Sequence, residues 1–522
     1  MEADYRKLQN GSDIRGIAME GVEGEAPNLG EEVTRRLSKG FLIWLSKKSG
    51  KKAEDLKISL GRDPRLSGED LLRTAKNAIG EEGAEVIDCG LASTPAMFMS
   101  TVFPEFLCDG AIMITASHLP FNRNGFKYFD KDGGLNKEDI SHIITLAQSM
   151  DSNNTSKPPA HSNYARKPYP NLMDIYSAHL RNLIKEAVSA DDYDYPLSGM
   201  KITVDAGNGG GGFYATKVLA PLGADISSSQ YLDPDGSFPN HPPNPENKEA
   251  MASISKAVVS SASDFGLIFD TDVDRSGAVD RYGREIARNG IVALAAALIA
   301  DEHPGTTIVT DSVTSDQLNT FLEKRLGLKH LRFKRGYRNV INESIRLNKE
   351  GIDSQLAIET SGHGAFKENF FLDDGAYLAT KIVIRAALLQ KAGATLDSLI
   401  DGLEEPMESI ELRFPIKCSD FSSYGDRILK DLADFVSGKS KGANPSHIKL
   451  VEPNFEGVRI SFDKINGDGW CLLRKSLHDP LMPLNVESNQ GGGCKIICMF
   501  LSNFLEKYDN LDISALKKYM ES

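Results

Sequence analysis

Cysteine is scarce, with six in 522 residues. Cys89, Cys108, Cys418, Cys471, Cys494 and Cys498 are scattered, and the closest pair, Cys494 and Cys498, has no second ligand pair nearby. This excludes a disulfide scaffold, argues against a structural zinc site and suits a reducing compartment. Long apolar runs are missing too. The most apolar stretch, Ile291 to Ala300, is about half of what a bilayer span needs. The N-terminal Met1-Glu-Ala-Asp-Tyr-Arg-Lys7 lacks both the apolar core of a signal peptide and the acid-poor look of a transit peptide. Positive charge is in deficit: 60 Lys and Arg face 73 Asp and Glu, a net charge of −13. Such a chain is a poor non-specific partner for nucleic acid or an anionic membrane, so an anionic ligand needs a local basic pocket. What remains is ordinary for a globular protein, 40% hydrophobic and 25% charged, which excludes collagen, coiled coil and wholesale disorder. The length implies roughly three to four domains.

Three segments repeat one design, an apolar strand ending in small or acidic residues and then a helical pattern. They start at Lys57-Ile-Ser-Leu-Gly-Arg-Asp63, Lys201-Ile-Thr-Val-Asp205 and Thr307-Ile-Val-Thr-Asp311, with helices expected over 68–83, 213–222 and 316–326. Recurrence at domain-sized intervals predicts three related α/β/α domains. The Ser-, Asn- and Pro-rich stretch 151–170 reads as a linker, followed by an amphipathic helix over 172–187. A composition shift near 404–410 opens a C-terminal segment of alternating strand and loop signals, polar over 437–447, read as a separate α+β domain. The expected boundaries are 1–150, a linker and connecting helix over 151–194, then 195–296, 297–404 and 405–522.

Four motifs carry chemistry. In Ile112-Met-Ile-Thr115-Ala-Ser117-His118-Leu-Pro120 a buried-type strand ends in a serine on a loop, with His118 beside it and Lys127 returning a cation. A solvated Ser–His turn is the plain alternative. In Phe265-Gly-Leu-Ile-Phe-Asp270-Thr-Asp272-Val-Asp274-Arg275 an apolar strand runs into three alternating aspartates. Three carboxylates packed together call for a cation, and hard oxygen ligands suit Mg²⁺. An EF-hand would need Gly at Arg275 and Glu at Arg281. Glu359-Thr-Ser361-Gly-His363, with Asp373-Asp374-Gly375 downstream, offers a hydrogen-bonding array for sugar hydroxyls or only a polar turn. Arg474-Lys475-Ser476-Leu-His478 crowds donors suited to phosphate after an apolar strand, or forms a solvated basic turn. The glycine run Gly207 to Gly212 satisfies G-x-G-x-x-G, but a run this rich in glycine matches by chance, so it gives little support to a dinucleotide site.

Together these motifs resemble the α-D-phosphohexomutase superfamily of phosphoglucomutase/phosphomannomutase type. The resemblance also rests, in chain order, on Gly11-Ser-Asp-Ile-Arg15-Gly, Gly61-Arg-Asp-Pro-Arg-Leu-Ser-Gly68, Asp205-Ala-Gly-Asn-Gly209 and Pro234-Asp-Gly-Ser-Phe-Pro-Asn-His-Pro-Pro-Asn-Pro-Glu246. Leu119 stands where the family usually has Asn, and Thr271 where it has Gly. The last loop departs most: Lys475, Leu477, His478 and Asp479 replace the usual Pro, Gly, Thr and Glu.

The resemblance implies a heart-shaped, four-domain architecture: three similar α/β/α mixed-sheet domains and a C-terminal α+β domain. It implies an isomerase that interconverts hexose 1-phosphate and hexose 6-phosphate through a phosphoserine and a bisphosphorylated sugar. Ser117, His118, Lys127, Arg15 and Arg275 would be catalytic. Ser117, Asp270, Asp272 and Asp274 would hold Mg²⁺. Glu359, Ser361 and His363 would bind the sugar, and Arg474, Lys475, Ser476 and His478 its phosphate. The cofactors implied are Mg²⁺ and a hexose 1,6-bisphosphate activator. The expected partner is a phosphosugar, with no nucleic acid or membrane, in a monomeric or dimeric cytoplasmic protein (plastid stroma if a transit peptide has been removed). Rival readings are a non-catalytic or altered-specificity sugar-phosphate binder, a Mg-dependent phosphatase with Asp270 as nucleophile, and a nicotinamide oxidoreductase. The sequence does not choose among glucose, mannose and amino or N-acetylated sugars.

Overall fold

The structure is a computed structural model that describes residues 4–150, 168–438, 447–476 and 479–521. Most of the expected linker, the polar stretch near 440, and Leu477 and His478 lie outside the described residues. The chain packs as two compact units, Met1–Thr306 with Ser344–Asp401, and Thr307–Glu343 with Gly402–Ser522.

In the first unit, Gly110–Ile114 is buried along its whole length because strands flank it on both sides. It runs parallel to Lys57–Arg62 and antiparallel to Arg123–Asp130. The seven-stranded mixed sheet continues through Glu85–Leu91 at one edge and Asp13–Ile17 and Gln9–Asn10 at the other. Helices Glu31–Ser49, Gly68–Glu81 and Lys137–Gln148 supply Phe41, Leu45, Leu72, Ile79, Ile140 and Ile144 to a core shared with Ile58, Leu60, Ile112, Ile114 and Phe126 of the strands. The last helix starts on a capping box of Asn136 and Asp139.

The second sheet of this unit pairs Ile202–Asp205 in parallel with Phe265–Phe269, which turns into an antiparallel hairpin with Ser276–Asp280. The helix expected over 213–222 is present only as a π-helical turn, Tyr214–Leu219, and a tight 3₁₀ turn, Ala220–Leu222, where Pro221 cannot donate to an α-helical ladder. A second hairpin, Leu356–Ile358 with Gly364–Phe366, is extended by Leu372–Asp373. The most apolar run of the sequence becomes helix Asn289–Ala300, buried from Asn289 to Ile299, the fate of a helix that is apolar all round. No helix among the described residues is long and apolar enough to cross a membrane.

The second unit contains a five-stranded, wholly antiparallel sheet in the order Glu408–Pro415, Leu481–Ser488, Gly469–Leu473, Val458–Phe462, Ile448–Leu450. Helices Phe421–Val436 and Gly493–Leu505 close its core. The parallel pair Thr307–Thr310 and Lys329–Arg332 packs in the same unit. Arg459 fastens it there: buried against the Trp470 ring at 3.6 Å, it donates to the carbonyls of Ser312 and Thr314 at 2.9 and 3.1 Å. The segment read from sequence as 297–404 therefore divides between the two units.

Candidate active site

Strand Gly110–Ile114 delivers Ser117 three residues past its end, at φ +49°, a conformation uncommon for a residue with a side chain. Ser117 itself is buried, only 7% accessible, whereas His118 and Pro120, further along the loop, are exposed. Its hydroxyl donates to Asp270 Oδ2 at 2.9 Å and accepts from Arg275 Nη2 at 2.7 Å. The three aspartates sit in the turn between Phe265–Phe269 and Ser276–Asp280, all buried, with Val273 at φ +66° folding them towards one point. Their ligating oxygens lie within 4.8 Å of one another.

This cluster is electrostatically tense. Burial and then the charges of Asp274 and Asp272 hold the Asp270 carboxyl well above the usual carboxylate range. Burial pushes Asp274 up as well, but the Lys127 and Arg275 charges outweigh it and leave its carboxyl low. Lys127 donates to Asp274 and stands 3.2 Å from Asp272 Oδ2. Even so, Asp272 Oδ1 and Asp274 Oδ1 are buried with no hydrogen-bond partner among the described residues. Orphaned anionic oxygens on three converging carboxylates fit a hard divalent cation.

The other site residues expected in this unit gather around the same loops. Arg15 donates to Thr115 O and to Asp13, both at 2.7 Å, at the root of the serine loop. His118 is exposed as a residue, but its Nδ1 accepts from Arg275 Nη2; desolvation at that inner edge of the ring and the Arg275 and Arg15 charges push its pKa down to about 3. With Nδ1 accepting from Arg275, the ring is placed to orient that guanidinium. The Glu359–His363 loop joins the second hairpin. Ser361 Oγ meets His363 Nδ1 at 2.8 Å, while His363 Nε2 lies 3.7 Å from both Asp274 and Asp373. Burial and nearby cations hold His363 well below its ordinary pKa. It thus faces the acidic cluster as well as belonging to the sugar-type loop.

The phosphate-type motif lies in the second unit. Arg474 is half-buried and its Nε has no partner among the described residues; burial and then the Arg335 charge push its pKa down. The Lys475 ammonium is engaged by Asp426 at 2.7 Å and by Ser422 Oγ at 3.0 Å. Ser476 Oγ accepts from Asp479 N at 3.2 Å. His478 is outside the described residues.

Several contributors carried no assigned role in the sequence. Thr94 donates through its hydroxyl to Asp272 and through its amide to Asp272 O at 2.8 Å. Its only signal was the Ser-Thr-Pro start of helix Thr94–Met99. Asn244 and Glu246 approach Arg275 Nη1 at 3.4 and 3.6 Å. The glycine run proves to be a seat for the aspartate loop. A Cβ on Gly209 would lie 2.9 Å from Thr271 Cα, and Gly210 N donates to Thr271 O at 2.7 Å. Close backbone packing, not a pyrophosphate, accounts for these glycines.

Comparison with known proteins matches three successive family descriptions to this chain: "Phosphoglucomutase/phosphomannomutase, alpha/beta/alpha" domain I over residues 6–154, domain II over 174–283 and domain III over 287–407. The chain belongs to the phosphoglucomutase/phosphomannomutase family. It is a phosphohexomutase, with three α/β/α domains and a fourth that has its own sheet. A phosphomannomutase/phosphoglucomutase of Pseudomonas syringae pv. tomato is 27% identical over 480 residues, 91% of this chain and 90% of its own. A phosphoglucomutase/phosphomannomutase of Thermococcus kodakarensis is 29% identical over 493 residues, 92% and 94% of the two chains. The crystal structure of a family protein from Burkholderia thailandensis, 24% identical, superposes with a TM-score of 0.74 over 96% of this chain and 98% of its own, which supports the fold.

Proposed function

We propose that this phosphohexomutase interconverts hexose 1-phosphates and hexose 6-phosphates, with glucose and mannose phosphates as substrates, by way of a phosphorylated Ser117. The choice of sugars follows the names of relatives that span nine-tenths of both chains. The observation that carries the chemistry is the position of Ser117 Oγ, hydrogen-bonded to both Arg275 and Asp270 at the edge of the aspartate cluster.

In this reading phosphorylated Ser117 donates its phosphoryl group to the free hydroxyl of a sugar monophosphate. The serine Oγ–P bond breaks, the sugar O–P bond forms, and the proton of the sugar hydroxyl ends on the departing Ser117 Oγ. The bisphosphorylated sugar turns over and returns its other phosphoryl group to Ser117. Arg275 and Lys127 neutralise charge on the group in flight, and Arg15 anchors the loop root. His118 accepts from Arg275 and orients it. Asp270, Asp272 and Asp274, with a phosphoserine oxygen, would hold Mg²⁺, which when bound supplies Lewis-acid charge neutralisation. Glu359 and Ser361 bind sugar hydroxyls. Arg474 and Ser476 bind phosphate: the unmet donor of Arg474 and its cationic neighbour Arg335 favour an anion there. Lys475, already paired with Asp426, contributes less than its charge suggests. A hexose 1,6-bisphosphate would prime the serine, and a cytoplasmic location fits the acidic, cysteine-poor chain.

The phosphatase reading is less favoured. Asp270 accepts from Ser117 Oγ and from Arg275 Nε and N, so it is embedded as a support rather than presented as a nucleophile. The test is a panel of hexose 1-phosphates assayed with a bisphosphate activator on wild type and Ser117→Ala. Turnover of glucose and mannose 1-phosphates, reduced at least about a thousand-fold in the variant, is expected. Release of inorganic phosphate without isomerisation would refute it.

A further inference from the structure

Beneath the serine loop lies a buried ion pair that touches no reacting atom. Asp63 and Arg65 are 0% and 1% accessible and follow strand Lys57–Arg62. The guanidinium of Arg65 reaches four carbonyl oxygens of one loop. Nη1 donates to Pro120 O at 2.7 Å and Arg123 O at 3.1 Å, and Nη2 donates to Leu119 O at 2.6 Å and to Ser117 O. Asp63 fixes the other side. Its Oδ2 accepts from Thr115 Oγ1 at 2.7 Å and from Arg65 Nε at 3.2 Å, and its Oδ1 accepts from Arg65 N at 3.0 Å. Thr115 Oγ1 in turn accepts from Ser117 N at 2.9 Å. Both the amide and the carbonyl of Ser117 are therefore tied, directly or through one hydroxyl, to this pair.

The residues around the pair shut it away from water. A Cβ on Gly236 would stand 2.3 Å from Pro64 O and 2.6 Å from Leu66 N, so only glycine lets that segment lie against the Asp63–Arg65 turn. The Phe238 ring covers the guanidinium, 5.3 Å from Arg65 Cζ. Only a planar fork with several separated donors can serve four carbonyls in this way; a lysine has all its donors on one atom.

We propose that Arg65, held by Asp63, is a positioning residue for phosphoryl transfer: it locks the Ser117 main chain at its positive φ and thereby sets Oγ against Arg275 and Asp270. This rests on the reading of Ser117 as the phosphoryl carrier. A residue that only stabilised the fold would change the amount of active enzyme. A positioning residue changes the rate at which each active molecule reacts, because a shift of about 1 Å in a reacting atom can cost on the order of 100-fold.

The test is Arg65→Lys, which keeps the charge and loses the fork. Single-turnover phosphorylation of Ser117 by hexose 1,6-bisphosphate, its final stoichiometry, kcat, KM and Mn²⁺ affinity are measured on the full chain. The expected result is full stoichiometry, wild-type Mn²⁺ affinity and KM within about two-fold, with kcat and the phosphorylation rate both down about 100-fold. A wild-type phosphorylation rate, or a rise in KM alone, would overturn the proposal. If Arg65→Lys does not fold, Asp63→Asn takes its place, with about a ten-fold fall in the same two rates expected. Failure of both to fold would make the role structural and overturn it as well. Ser117→Ala measured alongside separates the two ideas: retained turnover there refutes the phosphoserine reading itself, whereas an inactive Ser117→Ala beside an unimpaired Arg65→Lys refutes only the clamp.

Discussion

The reacting centre and the Arg474–Ser476 turn are built on opposite plans. Around Ser117 the charged side chains are buried and fixed in advance: Asp270, Asp272, Asp274 and Arg275 are each at most 1% accessible, and Lys127 is 4% accessible. In the second unit, Arg474, Lys475 and Ser476 are all half-buried, and Lys475 is spent on a helix of its own domain. The difference teaches where each cost falls. The centre bears its desolvation when the chain folds, so in the proposed transfer its groups would need no reorganisation. The turn leaves a guanidinium donor of Arg474 unmet among the described residues and, in the proposed role, would take up or release an anion with little rearrangement.

Removing the cation should break the first half of this contrast most severely. In excess chelator turnover should fall on the order of 10³-fold and return with Mg²⁺, since a metal supplies several kcal/mol of charge stabilisation. Asp272→Asn should need correspondingly more Mg²⁺. Activity that persists with no bound metal detected would separate the aspartate loop from catalysis.

On the binding side, Arg474→Ala should raise KM about 10- to 100-fold, the loss of charge-assisted hydrogen bonds of about 1.5–3 kcal/mol, and leave phosphorylation of Ser117 intact. Lys475→Ala should change KM by no more than about two-fold, because its partner is the largely exposed Asp426 and such pairs contribute little. Equal effects of the two substitutions would erase the distinction drawn between them.

Thr94→Val sharpens the account of the centre. Losing the hydroxyl that steadies Asp272 should weaken Mg²⁺ binding about ten-fold, with kcat near wild type at saturating metal. Isothermal titration with Mn²⁺ reads this directly, and unchanged affinity would mean that Asp272 needs no support.

The smallest effect concerns His241, whose Nε2 lies 3.1 Å from both oxygens of Asp205 and whose Nδ1 lies 3.1 Å from Pro242 O. Three acceptors around one ring favour the imidazolium. Burial lowers the His241 pKa, but Asp205, Pro242 O and, more distantly, Glu249 raise it above the ordinary value. A raised folded-state pKa contributes stability that is fully present below about 6.5, the unfolded value, and is lost as pH rises through the folded one. Chemical denaturation of wild type against His241→Asn should therefore show a gap that narrows as pH rises. A constant gap would mean that folding leaves the His241 pKa at its unfolded value, and a gap that widens would mean that the folded ring stays neutral.

What the sequence made legible follows from range. The serine loop and the aspartate triplet each sit directly after an apolar strand, so strand-then-polar spacing found both, and Asp270, Asp272 and Asp274 do converge. Interactions between distant segments left no such trace. Arg65 and Ser117 are 52 residues apart, and nothing local in Gly61-Arg-Asp-Pro-Arg marks it as a loop brace. Thr94 and Asp272 are 178 apart. The contact of His118 with Arg275 joins residues 157 apart, and the dipeptide Ser117-His118 does not encode it. The glycine run looked like a ligand motif because close approach to a backbone and close approach to a phosphate ask the same thing of a side chain: that there be none. Arg459 likewise donates to Thr314 O from 145 residues away, a contact that no local pattern announces.

The most direct measurement of the central claim is the site of phosphorylation. The enzyme is incubated with hexose 1,6-bisphosphate and Mg²⁺, quenched and mapped by peptide mass spectrometry, then chased with hexose monophosphate. The account predicts one phosphoryl group on Ser117 that disappears in the chase at a rate no slower than turnover. Phosphate on Asp270 instead, or continued turnover with Ser117 unmodified, would contradict it.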